Sequence, residues 1–92
     1  MNFQRLEVHM GFIDLEIISE PYLINTIRGY APIIDVIHLG EKIKFSLYIS
    51  AKSISDGIEP LRENNNKQFT GIKFKIKKED NKKMSKYIIE KL

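Results

Sequence analysis

Residues 41–50, EKIKFSLYIS, alternate without a break between apolar and polar side chains. Ile43, Phe45, Leu47 and Ile49 fall on one side, and Lys42, Lys44, Ser46, Tyr48 and Ser50 on the other. Successive side chains of a strand point to opposite faces, so the pattern predicts a strand with one face in a core and one in water. The wet face would carry two lysines and an aromatic ring, with no acid after Glu41. Cations with an aromatic ring suit phosphates and stacked bases. A solvated face bearing one tyrosine has the same pattern.

Other stretches repeat this period. Leu6, Val8 and Met10 alternate on even positions, then Ile13, Leu15 and Ile17 on odd ones. A one-residue slip at a glycine is the mark of a bulge or sharp bend, so residues 5–18 are expected to form a long first strand bent at Gly11. A separate strand or extension over residues 1–10 is the alternative. Pro21 and Gly29 make the stretch SEPYLINTIRGY a long loop. Residues 32–38 read as the second strand, with Ile34 and Val36 inward and Ile33, Asp35 and Ile37 outward; a tight turn then joins it to the third as an antiparallel hairpin.

After Ser50 the period becomes helical, with Ile54, Ile58 and Leu61 on one side and Ser50 or Ser53 available as the N-cap. Gly57 and Pro60 predict a short or kinked helix ending near residues 62–64. Residues 71–77 alternate again, placing Ile72, Phe74 and Ile76 inward and Lys73, Lys75 and Lys77 outward. A charged loop over 78–83 and a last strand over 84–90 complete the chain. The expected core is Ile13, Leu15, Ile17, Ile43, Phe45, Leu47, Ile49, Ile72, Phe74 and Ile76.

Ninety-two residues suffice for one domain with a single modest core. No apolar run approaches the ~18 residues of a membrane span, and the N-terminus lacks the layout of a signal peptide. The chain has no cysteine, which excludes disulfides and thiolate metal sites and fits an intracellular, cytoplasmic protein. Charge is segregated. Residues 1–40 hold two basic side chains against five acidic ones, while residues 66–92 hold nine lysines and three acids. A basic half beside an acidic half points to an acidic partner, nucleic acid being the commonest.

Little suggests catalysis. His9 and His38 have no further histidine at metal-ligand spacing, and phosphate loops, nucleophile elbows and deaminase motifs are missing from the sequence. The expectation is a non-enzyme without cofactor or metal.

Three strands, a helix and two strands is the order of the OB-fold, a five-stranded Greek-key barrel with one short helix between strands three and four. The segments YAPIIDVIHLGEKIKFSLYISAKSISDGI and GIKFKIKKEDNKKMSKYIIE resemble small single-stranded-nucleic-acid-binding OB domains. In those, an alternating strand runs through a serine-lysine-serine segment into the helix, and a later glycine opens a lysine-rich strand. The likeness covers roughly residues 12–90 and departs from the pattern at Pro60 and in lacking tryptophan.

The resemblance implies binding on the outer face of strands two and three and on the flanking loops. Those regions contain Lys42, Lys44 and Tyr48; Tyr22, Arg28 and Tyr30; and Lys78, Lys82 and Lys83, with Lys52 and Lys86 extending the set. The expected partner is single-stranded nucleic acid, DNA before RNA, as in replication or repair. The alternative is an OB-type protein-interaction module: a subunit of a replication or repair complex, a small phage or plasmid factor acting on a host protein, or a homodimer. Structured RNA would suit the same face.

Overall fold

The computed structural model describes residues 3–82 and 85–92. Among them are six strands and one helix: β1 (Ile13–Ile17), β2 (Tyr22–Thr26), β3 (Gly29–His38), β4 (Lys44–Tyr48), α1 (Lys52–Glu63), β5 (Lys73–Lys78) and β6 (Tyr87–Lys91). All six strands pair antiparallel in one open sheet of order β2-β3-β1-β5-β6, with β4 on the remaining edge of β3. No helix among the described residues is long and apolar enough to cross a membrane.

The strand count differs from the expected five because the stretch read as a loop contains β2. Its residues pair with β3 from Tyr22↔Ile33 to Thr26↔Gly29, while β1 pairs farther along the same strand, ending at Ile17↔Val36. Residues 18–21 therefore lie opposite only Ile34 and Asp35, and the ladder is patched there by a side chain. Ile18 N–H donates to the Asp35 carbonyl at 2.8 Å, and Asp35 N–H donates to Ser19 Oγ at 2.9 Å. Pro21 has no N–H to leave unpaired. β1 and β2 are thus one strand with an interruption, and the proline and glycine mark its break and its turn rather than a loop.

At Gly11 the chain changes direction instead of bulging, so the long strand over 5–18 does not form. The segment before it pairs elsewhere. Ser46 N–H donates to the Gln4 carbonyl and Leu6 N–H to the Ser46 carbonyl, making a parallel bridge with the free edge of β4. Lys78 N–H reaches the His9 carbonyl at 2.7 Å. Leu6 and Val8 enter the core with Leu15, Ile17, Ile34, Val36, Leu47, Ile54, Ile58, Ile72, Phe74 and Ile76.

Of the expected core, Ile13, Phe45 and Ile49 are half-buried against this cluster, and Ile43 lies outside it, 47% exposed. Lys42 takes a positive φ of 60°, and the ladder starts only at Lys44, so the alternation that includes Ile43 has no strand beneath it. Two residues expected on the outward face are buried there. Ile33 lies between cross-strand partners Tyr22 and Tyr48. Ser46, 3% exposed, is covered by the N-terminal segment, whose Phe3 N–H donates to its hydroxyl.

The helix runs unbroken through Pro60. Pro60 and Asp56 are both exposed, so water can satisfy the carbonyl that the proline leaves without a donor. Neither serine caps the helix. Ala51 stands at the N-cap with no side-chain bond, while Ser53 Oγ accepts from Tyr87 N–H and Ser55 Oγ donates to the Ile49 carbonyl. Gly57 is required by packing: a Cβ there would lie 2.9 Å from Ile89 Cβ, so α1 seats against β6 at the one position without a side chain.

Candidate nucleic-acid interface

Two basic and two aromatic side chains meet at one end of the sheet. Arg28 and Tyr30 come from the β2–β3 hairpin, Tyr48 from the end of β4, and Arg5 from the segment laid along the β4 edge. Together with Ser50 they line an open groove whose walls contain no carboxylate. The Arg5 guanidinium lies over the Tyr48 ring, 4.8 Å from its centre, an arrangement in which the ring's negative face meets a cation.

The groove continues. Arg5, Tyr48 and Ser50 also line a neighbouring hollow with Ala51 and Tyr87. Ala51 and Tyr87 in turn border a third with Lys52 and Lys86, where α1 begins and β6 enters. Lys78 lines a side branch with Arg5, His9 and Tyr87. A path of three tyrosines and several cations thus runs from the β2–β3 hairpin to the base of the β5–β6 hairpin. Among the described residues acid enters it only at the far end, where Asp56 holds Lys52 at 2.7 Å, and in the side branch, where Glu7 stands beside His9.

The remaining expected residues are placed differently. Tyr22 is half-buried and donates its hydroxyl to Asp35 at 2.7 Å; that bond, with burial and the negative charge behind it, raises the phenol's pKa. Its ring belongs to the cover over Ile33 rather than to the groove. Lys44 lies over Phe3, with Nζ 5.7 Å from the ring centre. Lys42 is at the β3–β4 turn, six residues of strand and turn from Tyr48 and so up to ~20 Å away. Lys82 is exposed in the loop after β5, its N–H donated to Asp80. Lys83 lies outside the described residues.

Arg5 and Tyr87 are the additions. Arg5 is one of only two basic residues in an otherwise acidic stretch of forty, and it alternates with Leu6 and Val8, which would have turned it to the outer face. Among the described residues no group of three or more histidine, cysteine or carboxylate side chains is placed to hold a metal ion. In comparisons with known proteins, the chain matches no family model, no curated protein and no solved structure.

Proposed function

We propose that this protein binds single-stranded nucleic acid without catalysis, DNA before RNA, along the groove that joins Arg28 and Tyr30 to Arg5 and Tyr48. The observation that carries the reading is the composition of that groove: two arginines and two tyrosines, with no carboxylate. Cations follow the phosphates of a strand, and aromatic faces accept bases of any identity. A duplex offers the phosphates but keeps its base faces stacked, so the tyrosines favour a single strand.

The pairing pattern supports an OB-type plan. With β1 and β2 counted as one interrupted strand, that strand pairs with β3 and β5, β3 with β4, and β5 with β6, while α1 lies between β4 and β5 in sequence. Residues 4–9 run from the free edge of β4 at Ser46 to the end of β5 at Lys78, whose N–H meets them on the side of β5 that faces β1.

A titration by fluorescence anisotropy with labelled oligo-dT, oligo-rU and a duplex of equal length tests the reading. The expected order is oligo-dT tightest and duplex weakest, with strong salt dependence. No binding of any of them at micromolar concentration in low salt would overturn it. The protein-interaction module is the reading that would then stand, because Leu23 and Ile27 keep apolar surface in water on the β2–β3 hairpin.

A further inference from the structure

At the tip of the β2–β3 hairpin the chain turns through residues 26–29, and Ile27 is 105% exposed, as open as in an extended peptide. Turn chemistry does not explain an isoleucine there, since asparagine, aspartate and glycine are the residues that favour such turns. The turn is held by its neighbours. Thr26 Oγ1 donates to the Gly29 carbonyl at 2.6 Å and accepts Arg28 N–H at 3.2 Å, and Gly29 takes a φ of 107°. The tip is therefore braced, and a bulky β-branched side chain is held out from it.

Its surroundings indicate a partner. Arg28 follows directly, and Ile27, Arg28 and Tyr30 all border the carboxylate-free groove, at the end where the path of tyrosines begins. Beside that groove, an apolar side chain on a two-stranded ribbon flanked by arginine has the make-up of a wedge pressed between base pairs.

We propose that the β2–β3 hairpin engages the junction between double and single strand, with Ile27 wedged behind the terminal base pair so that the pair opens, and the unpaired strand led past Tyr30 into the groove. Arg28 meets the phosphates at the fork. This rests on the single-strand reading of the groove, and the two are separable by experiment.

The test is anisotropy with four labelled probes: a single strand, a blunt duplex, and two duplexes carrying a single-stranded tail, one of each polarity. Wild type is expected to bind one tailed duplex about tenfold more tightly than the single strand, the effect of one apolar stack. A fluorescent adenine analogue in the terminal base pair should brighten as the pair opens. In Ile27→Ser, at a side chain that is fully in water, the ratio of tailed-duplex to single-strand affinity should fall to about one and the brightening should disappear, whatever the change in single-strand affinity itself. Leu23→Ser, exposed on the same hairpin away from the tip, should keep both. If wild type binds the single strand with no gain from the junction, or if Ile27→Ser keeps that gain, the wedge is overturned and the groove stands. If none of the probes is bound, the groove reading falls and takes the wedge with it.

Discussion

The Arg5 guanidinium rests on the Tyr48 ring, at 4.8 Å from the ring centre, across a parallel bridge formed only by residues 4–6 and Ser46. This stacking joins the N-terminal segment to the residue in β4 on which base stacking would depend. Arg5 is therefore a cation held over the groove, where on the proposed function its charge would meet a phosphate and its plane extend the aromatic surface.

Replacing Arg5 should weaken single-strand binding by two separable routes. Arg5→Ala should flatten the plot of log K against log salt by about 0.7, because one phosphate fewer would be neutralised. Arg5→Lys should keep the slope but not the full affinity, because an ammonium cannot stack as a guanidinium does. A slope unchanged in Arg5→Ala would place this side chain outside the binding path.

Tyr48 should behave as a stacking residue. Tyr48→Ala is expected to reduce single-strand affinity by roughly 1–3 kcal/mol, about 5- to 150-fold, and Tyr48→Phe to leave it almost unchanged. The melting temperature of Tyr48→Ala should fall far less than that of Phe74→Ala, where a fully buried ring leaves a cavity costing about 3–5 kcal/mol. Oligo-dT titration with thermal denaturation of the same samples separates the two effects; wild-type affinity in Tyr48→Ala removes stacking from the mechanism.

The alternation in residues 43–49 and 71–77 makes β4 and β5 legible, and with them the inward placement of Leu47, Ile72, Phe74 and Ile76. Alternation is a local signal and it reports local structure. What covers a face is decided by chain far away in sequence, which is why the pattern puts Ser46 in water: the segment that buries it arrives from more than forty residues earlier. Tyr22–Thr26 is hidden by Pro21 and Gly29, whose usual meaning as loop punctuation is the same whether they flank a loop or a short strand. In the groove, Arg28, Tyr30 and Tyr48 are identifiable from residue type and strand order, whereas Arg5 depends on where the first strand stops.

Gly57 tests how close packing outweighs helix propensity. An exposed helical glycine gains about 1 kcal/mol on conversion to alanine. Here the new Cβ would meet Ile89 Cβ at 2.9 Å, and overpacking of that kind costs about 1–3 kcal/mol. Gly57→Ala should therefore lower the melting temperature, by up to about 2 kcal/mol in net stability. A higher melting temperature would show that β6 yields to the helix.

Glu20 should give the fold an acid-sensitive component. Its carboxylate accepts the Thr70 hydroxyl at 2.7 Å and the N–H groups of Thr70 at 2.8 Å and Phe69 at 3.1 Å. Chiefly through the hydroxyl, these bonds hold its pKa below the usual value. A carboxylate with a depressed folded pKa stabilises above its unfolded pKa, and that stabilisation disappears as pH falls through the folded one. Wild type should thus be more stable than Glu20→Gln at neutral pH, and their melting temperatures should converge on acidification. Parallel curves would mean the charge plays no part.

The N-terminal segment also sets an order on assembly during synthesis. Residues 3–8 leave the ribosome ahead of every strand of the sheet, yet the backbone groups that receive residues 4–9 belong to Ser46 and Lys78. Leu6 and Val8, made before any strand of the sheet, remain uncovered until nearly the whole sheet exists to close over them. A nascent chain halted before β5 would carry a sticky segment ahead of its strands, the part of this molecule with most to gain from a chaperone.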